Sequence, residues 1–333
     1  MFQKSLRMSG KGSVGIVGSG LIGKSWAMIF ASVGYEVKLF DVEPSQVSTA
    51  LENIKSELLE FEEAGTLRGT LPAVEQGKLI TGTSSLKDCV QDAIYIQECV
   101  PENLELKIKV WTEIDGLVDE TTILGSSTSC IVPSLISEKL KNRERFIVAH
   151  PCNPPYHTPM VELVPAPWTN QETRDTTREL MSAIGQGPVS LSRELPGFVL
   201  NRIQYALLNE CWRLIRDGIV SPQDLDVVMK DGMGMRYALM GPMETIHLNA
   251  DGTQNYCDRY GETIFNVSSD SGPVPTGWKQ ESEADRAEVA ALHAALCETV
   301  PLEKLYERRV WRDKGLAALG KLKRDLAKSA KDE

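Results

Sequence analysis

The sequence predicts an α/β protein, with a mostly parallel sheet domain followed by an all-helical C-terminal domain. Three observations carry that expectation. Short apolar, β-rich runs alternate with amphipathic stretches through the first half of the chain, the pattern of parallel strands joined by crossover helices. A glycine-rich turn, Gly18-Ser19-Gly20-Leu21-Ile22-Gly23, separates the first of those runs from a helical one. Beyond residue 192 the apolar spacing becomes helical, and no later segment reads as a strand.

In chain order, the expected strands are Val14–Val17, Glu36–Phe40, Ile94–Glu98, Thr122–Gly125, Phe146–Ala149 and Met160–Leu163. Lys24–Ala31, Glu52–Glu63 and Leu104–Leu117 have helical spacing between them, the last two with charged outer faces. Gly65 and Gly69 punctuate the region after the first long helix, and Pro151 is expected to stop the strand that ends at Ala149. Pro196-Gly197 marks a turn before the broadly apolar run Phe198–Asp217, which Gly218 is placed to terminate. Ser221-Pro222 supplies an N-cap and a first-turn proline for the next helix. Asp270–Gln280, rich in Pro, Gly and Ser, reads as a loop, and the tail after Lys321 is expected to fray. The domains are expected to be residues 1–192, binding the nucleotide, and 193–333, serving substrate and dimer contacts.

A formal charge of −10 argues against a nucleic-acid surface, which needs clustered Lys and Arg. It does not exclude a small anionic ligand. The seven cysteines are scattered without a C-x-x-C pair, which reads as reduced thiols in a cytoplasmic protein with no metal site. No apolar run approaches the ~18 residues of a spanning helix, so no membrane partner is expected. Met8-Ser9-Gly10 reads as a second start or a junction, and Lys331-Asp332-Glu333 is no peroxisomal or ER-retention signal.

The glycine turn is a G-x-G-x-x-G in the context its physics requires, after a strand and opening a helix. Gly18 permits the tight turn, Gly20 lets the backbone approach a pyrophosphate, and Gly23 allows close helix–strand packing. Leu21 and Ile22 lie at the helix start, where free N–H groups and the positive dipole end favour phosphate. Asp41 ends the second strand about 20 residues on, where an acid accepts hydrogen bonds from an adenine-ribose diol. A carboxylate there repels a 2′-phosphate and no cation closely follows it, so the unit is Rossmann-type and NAD is favoured over NADP. The plainer alternative is an ordinary turn with a surface Asp.

Hydride transfer from an alcohol needs a base for the hydroxyl proton and donors to hold the oxygen. His150 follows the strand Phe146–Ala149, at the carboxyl end where open α/β sheets place ligands. Glu162 lies among apolar neighbours on the next strand, so it needs a partner if buried. His150 is a reasonable one: the carboxylate accepts one imidazole N–H and stabilises the imidazolium. Alone, His150 is equally a structural histidine and Glu162 a solvated strand edge. Ser129, in a Ser/Thr cluster, is a donor or simply a helix N-cap. Asn201, on a helical stripe with Tyr205, Leu208 and Trp212, needs a partner, either substrate or backbone.

Taken in order, the glycine turn, Ser126-Ser127-Thr128-Ser129, His150-Pro151-x-Asn153-Pro154 with Glu162, and Pro196-Gly197-Phe198-x-x-Asn201-Arg202 resemble the 3-hydroxyacyl-CoA dehydrogenase family from about Val14 to Asn249. The resemblance implies that His150 is the general base, Glu162 its orienting carboxylate, and Ser129 and Asn201 the groups that hydrogen-bond the reacting oxygen. It implies that Asn153 shapes the pocket and Asp41 binds the adenine ribose. It places Glu102 and Lys107 near the nicotinamide half of NAD, and it implies a homodimer.

Within the family, the blocks Gln97–Leu106, His150–Tyr156 and Gly232–Asn249 resemble a branch acting on a sugar acid, which implies oxidation of the 3-hydroxyl of L-gulonate. Two departures from the acyl-CoA pattern agree. Arg236 stands in an otherwise apolar segment, where it suits the carboxylate of a hydroxy acid or else snorkels at the surface. Between Glu57 and Lys78, only Arg68 and Lys78 face carboxylates at 57, 60, 62 and 63, a poor cradle for CoA. The alternatives are a short-chain 3-hydroxyacyl-CoA dehydrogenase and a structural protein that binds NAD without turnover.

Overall fold

The computed structural model describes residues 11–332; Met8-Ser9-Gly10 and Glu333 lie outside the described residues. Its strands are β1 (Ser13–Val17), β2 (Glu36–Phe40), β3 (Ile80–Thr83), β4 (Ala93–Glu98), β5 (Ile123–Ser126), β6 (Phe146–Pro151), β7 (Met160–Pro165) and β8 (Gly187–Ser190). They form one eight-stranded sheet in the order β3-β2-β1-β4-β5-β6-β7-β8. Every pairing is parallel except β6 with β7. The strand order reverses direction between β1 and β4, and ligands of open α/β sheets bind in the crevice outside the strand ends at such a point.

Helices α1 (Leu21–Ser32), α2 (Pro44–Glu63), α3 (Ala73–Lys78), α4 (Leu86–Val90), α5 (Leu104–Asp115), α6 (Pro133–Ser137) and α7 (Gln171–Ala183) connect the strands. They cover two apolar clusters, one around Trp26, Phe30, Tyr95 and Met181, the other around Trp111, Phe146, Val164 and Phe198. With both faces covered, the central strands read as nearly continuous apolar runs, as parallel strands must.

Two strands escape the sequence reading. β3 (Ile-Thr-Gly-Thr) is four residues long with a glycine inside, and β8 (Gly-Pro-Val-Ser) is an edge strand exposed along most of its length. Neither offers the alternation that marks a half-buried strand. Pro151 does not end its strand as expected, because antiparallel pairing with β7 continues through His150↔Glu162 and Pro151↔Val161.

The chain divides into two compact units. The first comprises residues 1–202 together with 315–324, the second 203–314 together with 325–333. The second unit contains most of α8 (Leu200–Arg216), then α9 (Pro222–Val227), a π turn at Val228–Met233, α10 (Gly234–Tyr237), α11 (Pro242–Leu248), α12 (Thr253–Ser269), α13 (Glu283–Thr299) and much of α14 (Leu305–Asp332). Gly218 takes φ 68° after α8, and Ser221 Oγ accepts from Asp224 N at 3.0 Å to cap α9, as its sequence predicts. The tail does not fray after Lys321: α14 runs on to Asp332.

The helical unit has little interior of its own. Among its described residues, Trp212 and Pro275 are the buried apolar side chains, while Met235, Met243, Phe265, Val267, Tyr306 and Trp311 are each more than 60% exposed.

Candidate active site

The glycine turn leaves β1 at the reversal point. Gly18 has φ 106°, in the left-handed region, and a Cβ on it would lie 2.7 Å from the Cys99 carbonyl oxygen just past β4. A Cβ on Gly23 would lie 1.9 Å from the Gly18 carbonyl oxygen, so turn and helix touch backbone to backbone. Gly20 faces open space, and as N-cap of α1 it offers no side chain to the first helical N–H groups. Those groups remain available to an anion. Leu21 is exposed and Ile22 half-buried at that same start.

Asp41 is held beside the turn, its Oδ2 accepting from Ser19 N at 2.8 Å and Ser19 Oγ at 2.9 Å. Lys24, the first cation after the glycine turn, pairs with Glu57 at 2.6 Å. Backbone donors for a pyrophosphate and a fixed carboxylate for a ribose diol fit NAD.

His150 and Glu162 are directly opposed residues of β6 and β7, and their side chains meet, Nδ1 to Oε2 at 2.8 Å. Both are buried. A carboxylate only accepts, so Nδ1 carries the proton and Nε2 presents a lone pair. The other Glu162 oxygen, Oε1, accepts from Val199 N at 2.8 Å and Leu200 N at 2.9 Å, at the start of α8. Burial pushes the Glu162 carboxyl up, but hydrogen bonds from His150, Leu200 and Val199 outweigh it and hold it below the ordinary carboxylate range. Phe198, fully buried with φ 51°, packs its ring 5.6 Å from the imidazole. Its place in the Pro196-Gly197-Phe198 turn was visible in the sequence; its position against His150 was not.

Ser129 and Asn201 also meet: Asn201 Nδ2 donates to the Ser129 carbonyl oxygen at 2.8 Å and approaches Cys130 Sγ at 3.4 Å. Asn201 therefore has the backbone partner that was one of its two expected options. Ser129 caps no helix; α6 begins at Pro133, with Val132 as its N-cap. Glu102 grips the Ser129 segment instead. Its Oε1 accepts from Thr128 Oγ1 at 2.7 Å, Ser129 N at 2.9 Å, Ser129 Oγ at 3.2 Å and Cys130 N at 3.1 Å. Burial raises the Glu102 pKa, yet Thr128, Lys107 and the two backbone donors bring it below the ordinary value. Lys107 is buried beside Glu98, Nζ to Oε1 at 2.8 Å.

Sequence reasoning missed two residues of β4. Gln97 Nε2 donates to Ser127 Oγ at 2.6 Å and to the Ala149 carbonyl oxygen at 3.2 Å, tying the serine loop to the backbone beside His150. Glu98 is fully buried. Polar residues ending an otherwise apolar strand were the available signal. Asn153 is exposed in the turn after β6, preceding a cis bond to Pro154. Arg236 lies exposed on α10 of the helical unit, and its guanidinium has no ion-pair or hydrogen-bond partner among the described residues.

Comparison with known proteins extends the geometry. Residues 13–195 match the NAD binding domain of 3-hydroxyacyl-CoA dehydrogenase, and residues 197–278 match its C-terminal domain. The chain belongs to the 3-hydroxyacyl-CoA dehydrogenase family. Among this family member's relatives, lambda-crystallin from Oryctolagus cuniculus is 50% identical over 95% of this chain and 97% of its own. L-carnitine dehydrogenase from Oceanobacillus iheyensis is 34% identical over 75% of this chain and 81% of its own. The solved structure of 5-formyl-3-hydroxy-2-methylpyridine 4-carboxylic acid 5-dehydrogenase, an NAD-dependent dismutase, superposes with a TM-score of 0.74 at 27% identity. It covers 94% of this chain and 98% of that one. The chain is thus an NAD-dependent dehydrogenase by family, and no helix among its described residues is long and apolar enough to cross a membrane.

Proposed function

We propose that the protein oxidises the 3-hydroxyl of L-gulonate to 3-dehydro-L-gulonate, with NAD, in the cytoplasm and as a homodimer. The His150–Glu162 pair carries the reading of the reaction. With Nδ1–H donated to the carboxylate, Nε2 is the atom that takes the hydroxyl proton, and Glu162 stabilises the imidazolium that results. NAD, when bound, supplies the acceptor for the hydride that leaves the same carbon. Ser129 and Asn201 hold the reacting oxygen, and Asn153 shapes the pocket. The turn at Gly18, Gly20 and Gly23, with the N–H groups of Leu21 and Ile22, takes the pyrophosphate, and Asp41 takes the adenine ribose.

A free hydroxy acid is favoured over an acyl-CoA because the two cations between Glu57 and Lys78 already have protein partners. Arg68 donates to the carbonyl oxygens of Tyr156, Ile184 and Gly185 and to Gln186 Oε1, and Lys78 pairs with Glu75 at 2.7 Å. Neither is free for the phosphates of a nucleotide carrier. Unpartnered Arg236 suits the substrate carboxylate. L-carnitine, named in one relative, is likewise a 3-hydroxy carboxylate without CoA. The seven cysteines are free thiols, which supports the cytoplasm.

The test is a set of initial-rate assays with NAD on L-gulonate, L-carnitine and 3-hydroxybutyryl-CoA, each repeated with His150→Gln. L-gulonate should have the highest kcat/KM, and the variant should lose about a hundredfold or more on it. A preference for the acyl-CoA would reverse the substrate assignment, and a variant as fast as its parent would remove His150 as base.

A further inference from the structure

We propose that Glu98 is a positioning residue for the reacting-oxygen site, acting through Lys107 and Glu102 on the loop that carries Ser129. The proposal rests on the reading above, in which Ser129 holds the reacting oxygen.

Lys107 is fully buried, and its ammonium already has three oxygen neighbours: Glu98 Oε1 at 2.8 Å, the Val100 carbonyl at 3.1 Å and Glu102 Oε2 at 3.5 Å. The first two accept hydrogen bonds from it, and the third is an ion-pair contact. Glu98 holds it there. The Glu98 carboxylate also accepts from Val100 N at 2.7 Å, Ser126 Oγ at 2.6 Å and Trp111 Nε1 at 3.2 Å.

The connections run in one direction. Glu98 at the end of β4 fixes Lys107 on α5. Lys107 faces Oε2 of Glu102, and Oε1 of Glu102 pins Thr128, Ser129 and Cys130. Ser126, where that loop leaves β5, is fixed by Glu98 directly. Asn201 then takes its place from the Ser129 carbonyl. Without the Glu98 charge Lys107 has no buried carboxylate to fix it, and Glu102 loses the fixed cation that faces its Oε2, so its grip on the loop loosens. Ser129 and Asn201 lose their alignment together, while the glycine turn keeps its own contacts.

The experiment compares Glu98→Gln, Glu102→Gln, their double variant, Ser129→Ala and the neutralised pair E98Q/K107M. The last leaves no charge buried without a partner, so it reports on the pathway even if Glu98→Gln alone fails to fold. The measurements are kcat and KM with NAD and L-gulonate, the Kd for NADH by fluorescence titration, and amide hydrogen exchange, which needs no substrate.

Glu98→Gln and E98Q/K107M should lower kcat at least tenfold, and in Glu98→Gln the NADH Kd should stay within threefold. Exchange at Ser129 and Cys130 should rise at least tenfold, with residues 14–24 unchanged. The E98Q/E102Q pair should lose no more than its worse member, because both act along one path. An E98Q/K107M variant with parental kcat, a Glu98→Gln Kd that rises in step with the loss, or exchange raised across the whole sheet domain would each overturn the proposal. Ser129→Ala separates the two readings. If it is slow while E98Q/K107M is normal, Ser129 keeps its role and the pathway falls. If it is as fast as the parent, the role of Ser129 fails and the pathway with it.

Discussion

Glu162 divides its two oxygens between two tasks, one toward the imidazole and one toward the first N–H groups of α8. Replacement by Gln keeps the size but removes the charge, and should slow kcat about a hundredfold. The same charge has a pH signature. The folded-state pKa of Glu162 is depressed, so its contribution to stability is complete above the unfolded value of about 4.3 and is lost as pH falls through the lower folded value. The Tm difference between parent and E162Q should therefore be largest above about pH 5 and shrink toward acid. A difference that grows on acidification would contradict the assignment. Arg236 makes a separate test, since its guanidinium has no ion-pair or hydrogen-bond partner to lose among the described residues. Arg236→Met should raise KM for L-gulonate about tenfold or more and leave Tm within about 1 °C. An unchanged KM would mean that Arg236 merely lies at the surface.

Elements differ in how far their sequences announce them. The glycine turn was legible because two backbone approaches, at Gly18 and Gly23, demand the absence of a side chain, and the sequence records that demand. At Gly23 it is absolute: a methyl would lie 1.9 Å from a carbonyl oxygen. Gly23→Ala should raise the Kd for NADH at least tenfold and lower Tm by about 5 °C, read by fluorescence titration and a thermal melt. The β6–β7 partnership was legible from an acid stranded among apolar residues, although antiparallel pairing carried the strand past a proline expected to stop it. β3 and β8 were not legible, because four-residue strands containing glycine or proline resemble turns until a neighbouring strand supplies their hydrogen bonds. The network around Glu98 was hidden for a related reason. Ser126 ends β5 whereas Lys107 and Trp111 stand one turn apart on α5, and only the fold brings those two stretches to one carboxylate on β4.

At the scale of the whole molecule, the two compact units differ in what they bury. The sheet unit holds both large apolar clusters, whereas the helical unit leaves Phe265, Met243, Trp311 and Tyr306 exposed, with only Trp212 and Pro275 buried among the apolar side chains of its described residues. Helices with so little interior gain most of their stability from packing, which here supports a second copy of the chain as the cover. Sedimentation velocity at micromolar concentration should give twice the chain mass, and Phe265→Glu should move it toward the monomer with a loss of Tm. A parental monomer under those conditions would exclude the homodimer.

Helix α8, like α14, is divided between the two units, the break falling between residues 202 and 203. The backbone N–H groups of Val199 and Leu200, where α8 begins, donate to the same Glu162 carboxylate that the His150 ring touches. The aim of that imidazole and the course of the leading turn of α8 are thus fixed together. A mutation anywhere along α8 that twists its leading end would be felt as a misaimed imidazole, so loss of turnover in such a variant need not mean that the altered residue ever meets a substrate.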